Sequence, residues 1–446
     1  PALAILVERE REIGAFRPEA YWEVWAEFET ARGERFRGKW AGAKGGRLPS
    51  KEAAEALAAK ARGRAGRVES FGERLEEEPP PGLHDLGSLQ REANRELGYS
   101  AARTLELAQA LYEAGFITYP RTDSRHITEA MAGTLAARLR AVAAGDDAAL
   151  AALAGEALAS GRGIWAACVD DSKVTDHHAV VPTGRPARGL PPEQATMHRL
   201  VARRFVAAFF PPARWQAREA TTLVEGEPFA SSSRVLLEPG WRRCWGQRAG
   251  HGGPGLPTLA PGEGVRTVQV EVLEKRTEPP SRHTDASLIR AMERAGLGTP
   301  ATRAATIERL LEVGYAERRG RALAPTPKGE FLVSVCPEDL RSPELTARLE
   351  TALREVEAGR LAPEKVREEA AALAAAAVRH AAGLPSPRSP ARAAGTPRAP
   401  ASRARGSAGT RARSAGAACR TGGSGWAARP CAAAAGSGPR RGSGRR

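Results

Sequence analysis

The stretch GFITYPRTDSRHIT, Gly115 to Thr128, follows directly on the apolar run TLELAQALY and changes the character of the chain. Ile117 and Thr118 are β-branched, Pro120 fixes one backbone dihedral, and Arg-Thr-Asp-Ser then reads as a turn. In an extended segment residues i and i+2 share a face, so Tyr119 and Arg121 can address one target. A tyrosine hydroxyl, with an unperturbed pKa of about 10, is a poor nucleophile near neutrality. A catalytic tyrosine therefore needs cationic neighbours that stabilise phenolate and an attacked phosphate, and the planar fork of an arginine suits phosphodiester oxygens. On this stretch alone, a half-buried strand tyrosine followed by an ordinary turn, with Asp or Ser capping a helix, is the competing reading.

Working outward, HDLGSLQREANRELGYSAARTLELAQALYEAG has a helical period (Leu86 and Leu89, then Leu105, Leu107, Ala108 and Leu111), with Gly115 as a C-cap. Further helix is predicted in TEAMAGTLAARLRAVAA and EQATMHRLVARRFVAAFF. On either side lie strand patterns. AYWEVWAEFETARGERFRGKWA alternates as a hairpin and GRVESF as another strand, whereas EEEPPPG interrupts regular structure; REATTLVEG and SSSRVLLEPGW restore strand character later. The start, PALAILVEREREI, reads as helix and is expected to follow a missing N-terminal part. Residues 283–335 read helix, turn, helix, hairpin, as in a winged helix. A last helix has Pro363 near its first turn and Gly383 after its end.

The formal charge of +15 suggests a polyanionic partner, but thirteen arginines lie beyond Leu384, where there is no Asp, Glu or Lys, and they account for all but two of those charges. Any nucleic-acid site in the body must therefore be a local groove. The five cysteines (Cys168, Cys244, Cys336, Cys419, Cys431) form no C-x-x-C pair, which argues against a zinc or redox centre and for reduced thiols. No apolar run reaches the roughly 18 to 20 residues of a membrane span, so no membrane partner is expected.

With these residues in view, ITYPRTDS resembles the active-site motif of the type IA DNA topoisomerases, and its Pro120 makes it most similar to topoisomerase III. VDDSKVTDHHAVVPTG, Val169 to Gly184, is similar to that family's Asp-His-His-Ala-Ile-Ile-Pro-Thr segment. PALAILVEREREI, the HDLGSLQ stretch, HTDASLIRAMERAGLGTPATRAATIERL and APTPKGE follow in the family's order. The resemblance implies that Tyr119 is the nucleophile of a 5′-phosphotyrosyl link, that Arg121 positions the scissile phosphate, and that His177 is the active-site histidine. His178 packs or hydrogen-bonds beside them. It also implies that the region around Thr299, Thr302 and Arg303 holds single-stranded DNA, where a capped helix N-terminus favours phosphate, and Lys173 is a further candidate DNA contact. Gln90, Arg91 and Asn94 fit a polar helix face and receive no chemical role.

The expected fold is a multi-domain α+β type IA topoisomerase toroid. Its parts are 1–15, the end of a helical base; 16–79 and 207–282, two parts of one β-rich arm domain; 80–206, a helical tyrosine-bearing domain; 283–383, a winged-helix-like base; and 384–446, a disordered tail. In the family, metal is held by acids of an N-terminal Toprim domain, which this chain is expected to lack. Metal ligands here are expected to be none, and Mg²⁺ is expected only through Toprim, either lost or on a partner chain. The expected activity is ATP-independent cleavage and religation of single-stranded DNA by a monomeric, cytoplasmic, nucleoid-associated isomerase. The alternative is a non-catalytic single-stranded DNA-binding remnant. The tail composition fits either a frame-shifted reading of a GC-rich gene or a disordered arginine segment that binds phosphates.

Overall fold

Alternation of inward apolar and outward polar residues builds a closed barrel. A computed structural model describes residues 1–42, 44–174 and 176–384, of which Pro1–Leu384 form one unit; the tail reading of 385–446 lies outside the described residues. After helix α1 (Ala2–Ala15), strands β1 (Ala20–Thr30) and β2 (Arg35–Trp40) make the expected hairpin. Helix α2 (Lys51–Ala61) and strand β3 (Ala65–Glu78) follow. Strands β4 (Ala213–Val224), β5 (Glu227–Glu238) and β6 (Gly264–Arg276) arrive more than a hundred residues later and complete the order β1-β2-β5-β4-β3-β6, closed by pairing of β6 with β1. Closure leaves no edge strand unpaired.

Val24, Ala26 and Phe28 of β1 point inward with Phe36 and Phe229, and the Phe28 ring lies 5.3 Å from Phe36 and 5.7 Å from Phe229. Ala54, Leu57, Ala58 and Ala61 turn one face of α2 into the same core. Each fully buried Phe or Leu contributes roughly 1.5–3 kcal/mol relative to exposure. Strand β3 differs from expectation, because it runs through Glu76, Glu77 and Glu78 and stops only at Pro79. The acids do not break it because arginines of β5 and of the turn after it neutralise them: Glu76 pairs with Arg234 at 2.9 Å and Glu78 with Arg242 at 2.6 Å.

Between the two halves of the barrel lie α3 (Leu86–Leu97), α4 (Ala101–Glu113), α5 (Glu129–Ala132), α6 (Leu135–Ala143), α7 (Ala148–Ala159) and α8 (Pro192–Ala207). A capping box of Asp85 and Ser88 starts α3, and Gly98, at φ 74°, ends it. The single helix expected over 128–144 is instead α5 and α6, parted at Gly133–Thr134. Glu92 of α3, almost fully buried, binds Arg203 at 2.7 Å and Arg204 at 2.5 Å, both on α8, and lies 3.7 Å from the buried His84. Burial, then Arg204, holds the His84 imidazole well below its usual pKa, so it is neutral.

The rest is α9 (Asp285–Arg294), α10 (Pro300–Glu312), the hairpin β7 (Ala316–Arg319) and β8 (Ala322–Pro325), then α11 (Pro327–Val335), α12 (Glu338–Arg341), α13 (Pro343–Glu357) and α14 (Pro363–Ala382). The helix, helix, hairpin order of a winged helix is present. Ala2 and Leu6 of α1 pack with Leu288, Ile289, Met292 and Ile307 of α9 and α10, which joins the first helix to this core. Buried Asp285 ties the neighbouring elements together, accepting from Arg318 at 2.5 Å and from the Ala101 N–H at 3.1 Å.

Candidate active site

The chain leaves α4 at Gly115, whose φ of 75° is a left-handed conformation that glycine adopts without a Cβ clash. It then runs extended against residues 179–183. Thr118 N–H donates to the Val181 carbonyl at 3.0 Å and Thr183 N–H to that of Phe116 at 3.0 Å. The Thr118 hydroxyl donates to the Ala179 carbonyl and accepts from Val181 N–H, each at 2.9 Å. The second segment is also held elsewhere: Ala179 N–H donates to the His126 carbonyl at 2.8 Å and Val180 N–H to that of His84 at 2.7 Å. The ionic cluster around Glu92 thus lies directly behind a backbone that fixes residues 179–183.

Along 119–124 burial alternates. Pro120, Thr122 and Ser124 are buried, Tyr119 is half-buried, and Arg121 and Asp123 are exposed. On the buried side, the Thr122 hydroxyl donates to the His177 carbonyl at 3.1 Å and accepts from Ser124 N–H at 3.0 Å, while Ser124 Oγ donates to the Lys173 carbonyl at 2.8 Å. These bonds bring the two segments into register. As a result the Tyr119 ring centroid lies 4.4 Å from that of His177, tilted by 48°. Tyr112, at the end of α4 and 40% exposed, meets Tyr119 edge to face at 5.3 Å. Arg121 is exposed and makes no ion pair among the described residues.

The other candidates are placed differently. His178 Nδ1 lies 2.9 Å from the Ala179 carbonyl, a local bond beside the site. Lys173 is exposed and pairs with Asp170 at 2.8 Å; hydrogen bonds from Lys173 and Ser172 hold that carboxyl down to about 2. Thr299 caps α10 in a box with Thr302, and its N–H donates to Thr302 Oγ1 at 2.9 Å. Arg303 turns inward, donating to the carbonyls of Leu297 at 3.1 Å and Gly298 at 2.9 Å, and burial lowers its pKa. Glu293, 3.7 Å from its Nη1, works against that lowering. Arg91 pairs with Glu293, whereas Gln90 and Asn94 donate to the carbonyls of Ala101 and Tyr99 and are structural. Sequence reading missed Tyr112, Thr122 and Asp123, although the i, i+2 rule that paired Tyr119 with Arg121 also puts Asp123 on that face.

Among the described residues no group of three or more His, Cys, Asp or Glu side chains converges as a metal ion requires. Asp123 is the one acid on the exposed side of 119–124. These residues do not fit a divalent cation. Among the described residues, no helix is long and apolar enough to cross a membrane.

A family model described as DNA topoisomerase matches residues 1–368. DNA topoisomerase 3 of Shouchella clausii is 34% identical over 387 residues, covering 81% of this chain and 52% of that protein. DNA topoisomerase 3 of Bacillus cereus is 31% identical over 394 residues, covering 82% of this chain and 53% of its own length. The chain thus spans about half the length of the curated relatives it matches. The full-length topoisomerase I from Thermotoga maritima shares the fold, with a TM-score of 0.68 at 24% identity over 85% of this chain and 62% of that one. The family match spans both segments that bring Tyr119 to His177, and the chain belongs to the type IA DNA topoisomerase family.

Proposed function

We propose that this chain carries the nucleophile of a topoisomerase III-like enzyme that cleaves and reseals single-stranded DNA. Tyr119 Oη attacks a backbone phosphorus, the bond from phosphorus to the 3′-oxygen breaks, and the 3′-hydroxyl leaves with a proton while the 5′-phosphate stays on the tyrosine. The tyrosine's proton passes to a nearby base, and His177 is the side chain suited to move it. Arg121 holds the non-bridging oxygens of the attacked phosphate. Resealing is the reverse of cutting and needs no ATP. Thr299 and Thr302 offer the α10 N-terminus to a neighbouring phosphate, with Arg303 shaping the turn beneath it and Lys173 as an outer contact.

The observation that carries this reading is the 4.4 Å approach of the Tyr119 and His177 rings, with the exposed Arg121 two residues further along, at the bend of Pro120 and Arg121. Mg²⁺, in this reading, is held by acids of a Toprim domain rather than by the residues described above, and the working protein is a cytoplasmic, nucleoid-associated enzyme that includes or recruits that domain. The test is a denaturing-gel trap with labelled single-stranded DNA and Mg²⁺, comparing this chain with Tyr119→Phe, each with and without a separately prepared Toprim domain. A covalent adduct that needs both Tyr119 and the added domain is expected. Binding without an adduct under any condition would replace this reading with that of a non-cleaving single-strand binder.

A further inference from the structure

We infer that Tyr112 is a nucleobase-stacking residue whose ring takes a base flanking the phosphate that Tyr119 attacks; the inference rests on the cleavage chemistry proposed above. Among the described residues, Tyr112 and Phe331 are the two exposed aromatic side chains, at 40% and 59%, and Tyr112 is the one beside Tyr119. Packing accounts for only part of such a ring, because the area left in water adds nothing to the core. Tyr119 is the middle of three rings, its centroid 4.4 Å from that of exposed His177 and 5.3 Å from that of Tyr112. The planes of Tyr112 and Tyr119 meet at 76°. In an edge-to-face pair one ring gives its edge and the other a single face, so Tyr119 covers at most one face of Tyr112. The backbone fixes the relation of the two rings: Gly115 N–H donates to the Tyr112 carbonyl and Phe116 N–H to that of Leu111, each at 2.8 Å, in the turn from which the tyrosine segment starts.

The surroundings of Tyr112 select a base over a phosphate. Glu113 follows it directly, exposed, and its carboxylate accepts from Gln109 Nε2 at 2.9 Å but has no cation paired with it among the described residues. That charge repels backbone phosphates, which the proposed chemistry assigns to Arg121, whereas a neutral base offers Tyr112 a π-face. Every base has such a face, so stacking holds a strand in place without choosing its sequence. A base inside a duplex keeps both faces against its neighbours, which makes this contact selective for unpaired DNA.

The test uses the full chain without Mg²⁺ or a Toprim domain, so that binding alone is read. The probes are an oligothymidylate, a strand of abasic deoxyribose phosphates of the same length, and an oligonucleotide carrying 5-iododeoxyuridine, which on irradiation cross-links to a stacked aromatic ring. Tyr112→Leu is expected to bind the oligothymidylate about tenfold more weakly, the worth of one stacked base, and the abasic strand unchanged. Tyr112→Phe keeps the ring and should keep the affinity. Any binding by the arginines beyond Leu384 goes through phosphate, which both strands carry, so the comparison cancels it. The iodinated strand is expected to cross-link to Tyr112, mapped after cleavage at glutamates, since Glu113 separates Tyr112 from Tyr119. Equal weakening of both strands, no weakening of either, or a cross-link that never reaches Tyr112 would each overturn the inference. The two readings fail separately: a base stacked on Tyr112 without any covalent adduct would end the cleavage reading alone, and an adduct without the stacked base would end this one alone.

Discussion

Thr122 is a small residue whose loss should be felt out of proportion to its size. Its side chain is 3% exposed, and one hydroxyl serves two backbone groups, donating to the His177 carbonyl at 3.1 Å and accepting from Ser124 N–H at 3.0 Å. Thr122→Val keeps the shape and removes both bonds, leaving a carbonyl and an N–H short of a partner where water has little access. An unsatisfied buried polar group costs about 1–3 kcal/mol, so a net loss of about 2 kcal/mol is expected. At about 1.4 kcal/mol per decade, this is a roughly thirtyfold increase in local opening. Hydrogen exchange measured on peptides covering 119–126 and 176–183 should show that increase in both, because the hydroxyl is their shared pin. Thr122→Ser retains the hydroxyl and should differ from the parent by only a few-fold. The reasoning fails if Val and Ser variants exchange alike, or if only one of the two segments loosens.

Glu92→Gln should destabilise the helical region by about 3–5 kcal/mol, the cost of leaving the buried Arg204 guanidinium without its carboxylate, while Arg203 keeps its pair with Glu96; urea unfolding followed at α3 and α8 measures it. Gly38→Ala would place a Cβ 2.9 Å from Ser231 Oγ and 3.1 Å from both Phe229 Cβ and the Phe28 ring, so overpacking of the barrel by about 1–3 kcal/mol is expected in thermal unfolding. His198 gives a pH signature: its folded pKa of about 4 lies below the unfolded value of 6.5, the unfolded chain binds more protons between them, and stability falls as pH drops through that window. The 2.5-unit gap corresponds to about 3 kcal/mol, and the pH slope of unfolding between 6.5 and 4 should shrink in His198→Gln.

The legibility of the site in the sequence depended on range. The two-residue period of extended chain predicts that Tyr119 and Arg121 share a face, and burial does alternate over 119–124, but the backbone bends at Pro120 and Arg121. His177 lies far along the chain, and no local period reaches it; only the similarity of its motif drew attention to it, and Thr118, Thr122 and Ser124 bring it close. The same limit hid the continuation of β3 through its glutamates, because the arginines that neutralise them are at 234 and 242. Arg303 looks like free surface charge in sequence. It is not, because the turn between α9 and α10 exposes the Leu297 and Gly298 carbonyls to it.

Hydroxyls rather than long strands hold the tyrosine segment, and such bonds are firm only where water cannot replace them. The surrounding residues supply that condition. Ile117 and Ile127 are at most 1% exposed and lie on either side of the segment, each joined by a single bridge to the chain around it, Ile117 to Pro182 and Ile127 to Val169. Pro120, buried between Tyr119 and Arg121, adds no N–H that would need a partner. The Thr118, Thr122 and Ser124 hydroxyls on the inner side meet backbone groups of the second segment, while the outer side carries exposed Arg121 and Asp123 and half-buried Tyr119, which packs on Tyr112 and His177. In the function proposed above, a nucleophile mounted this way is fixed from behind and open in front, as attack on an incoming strand would require.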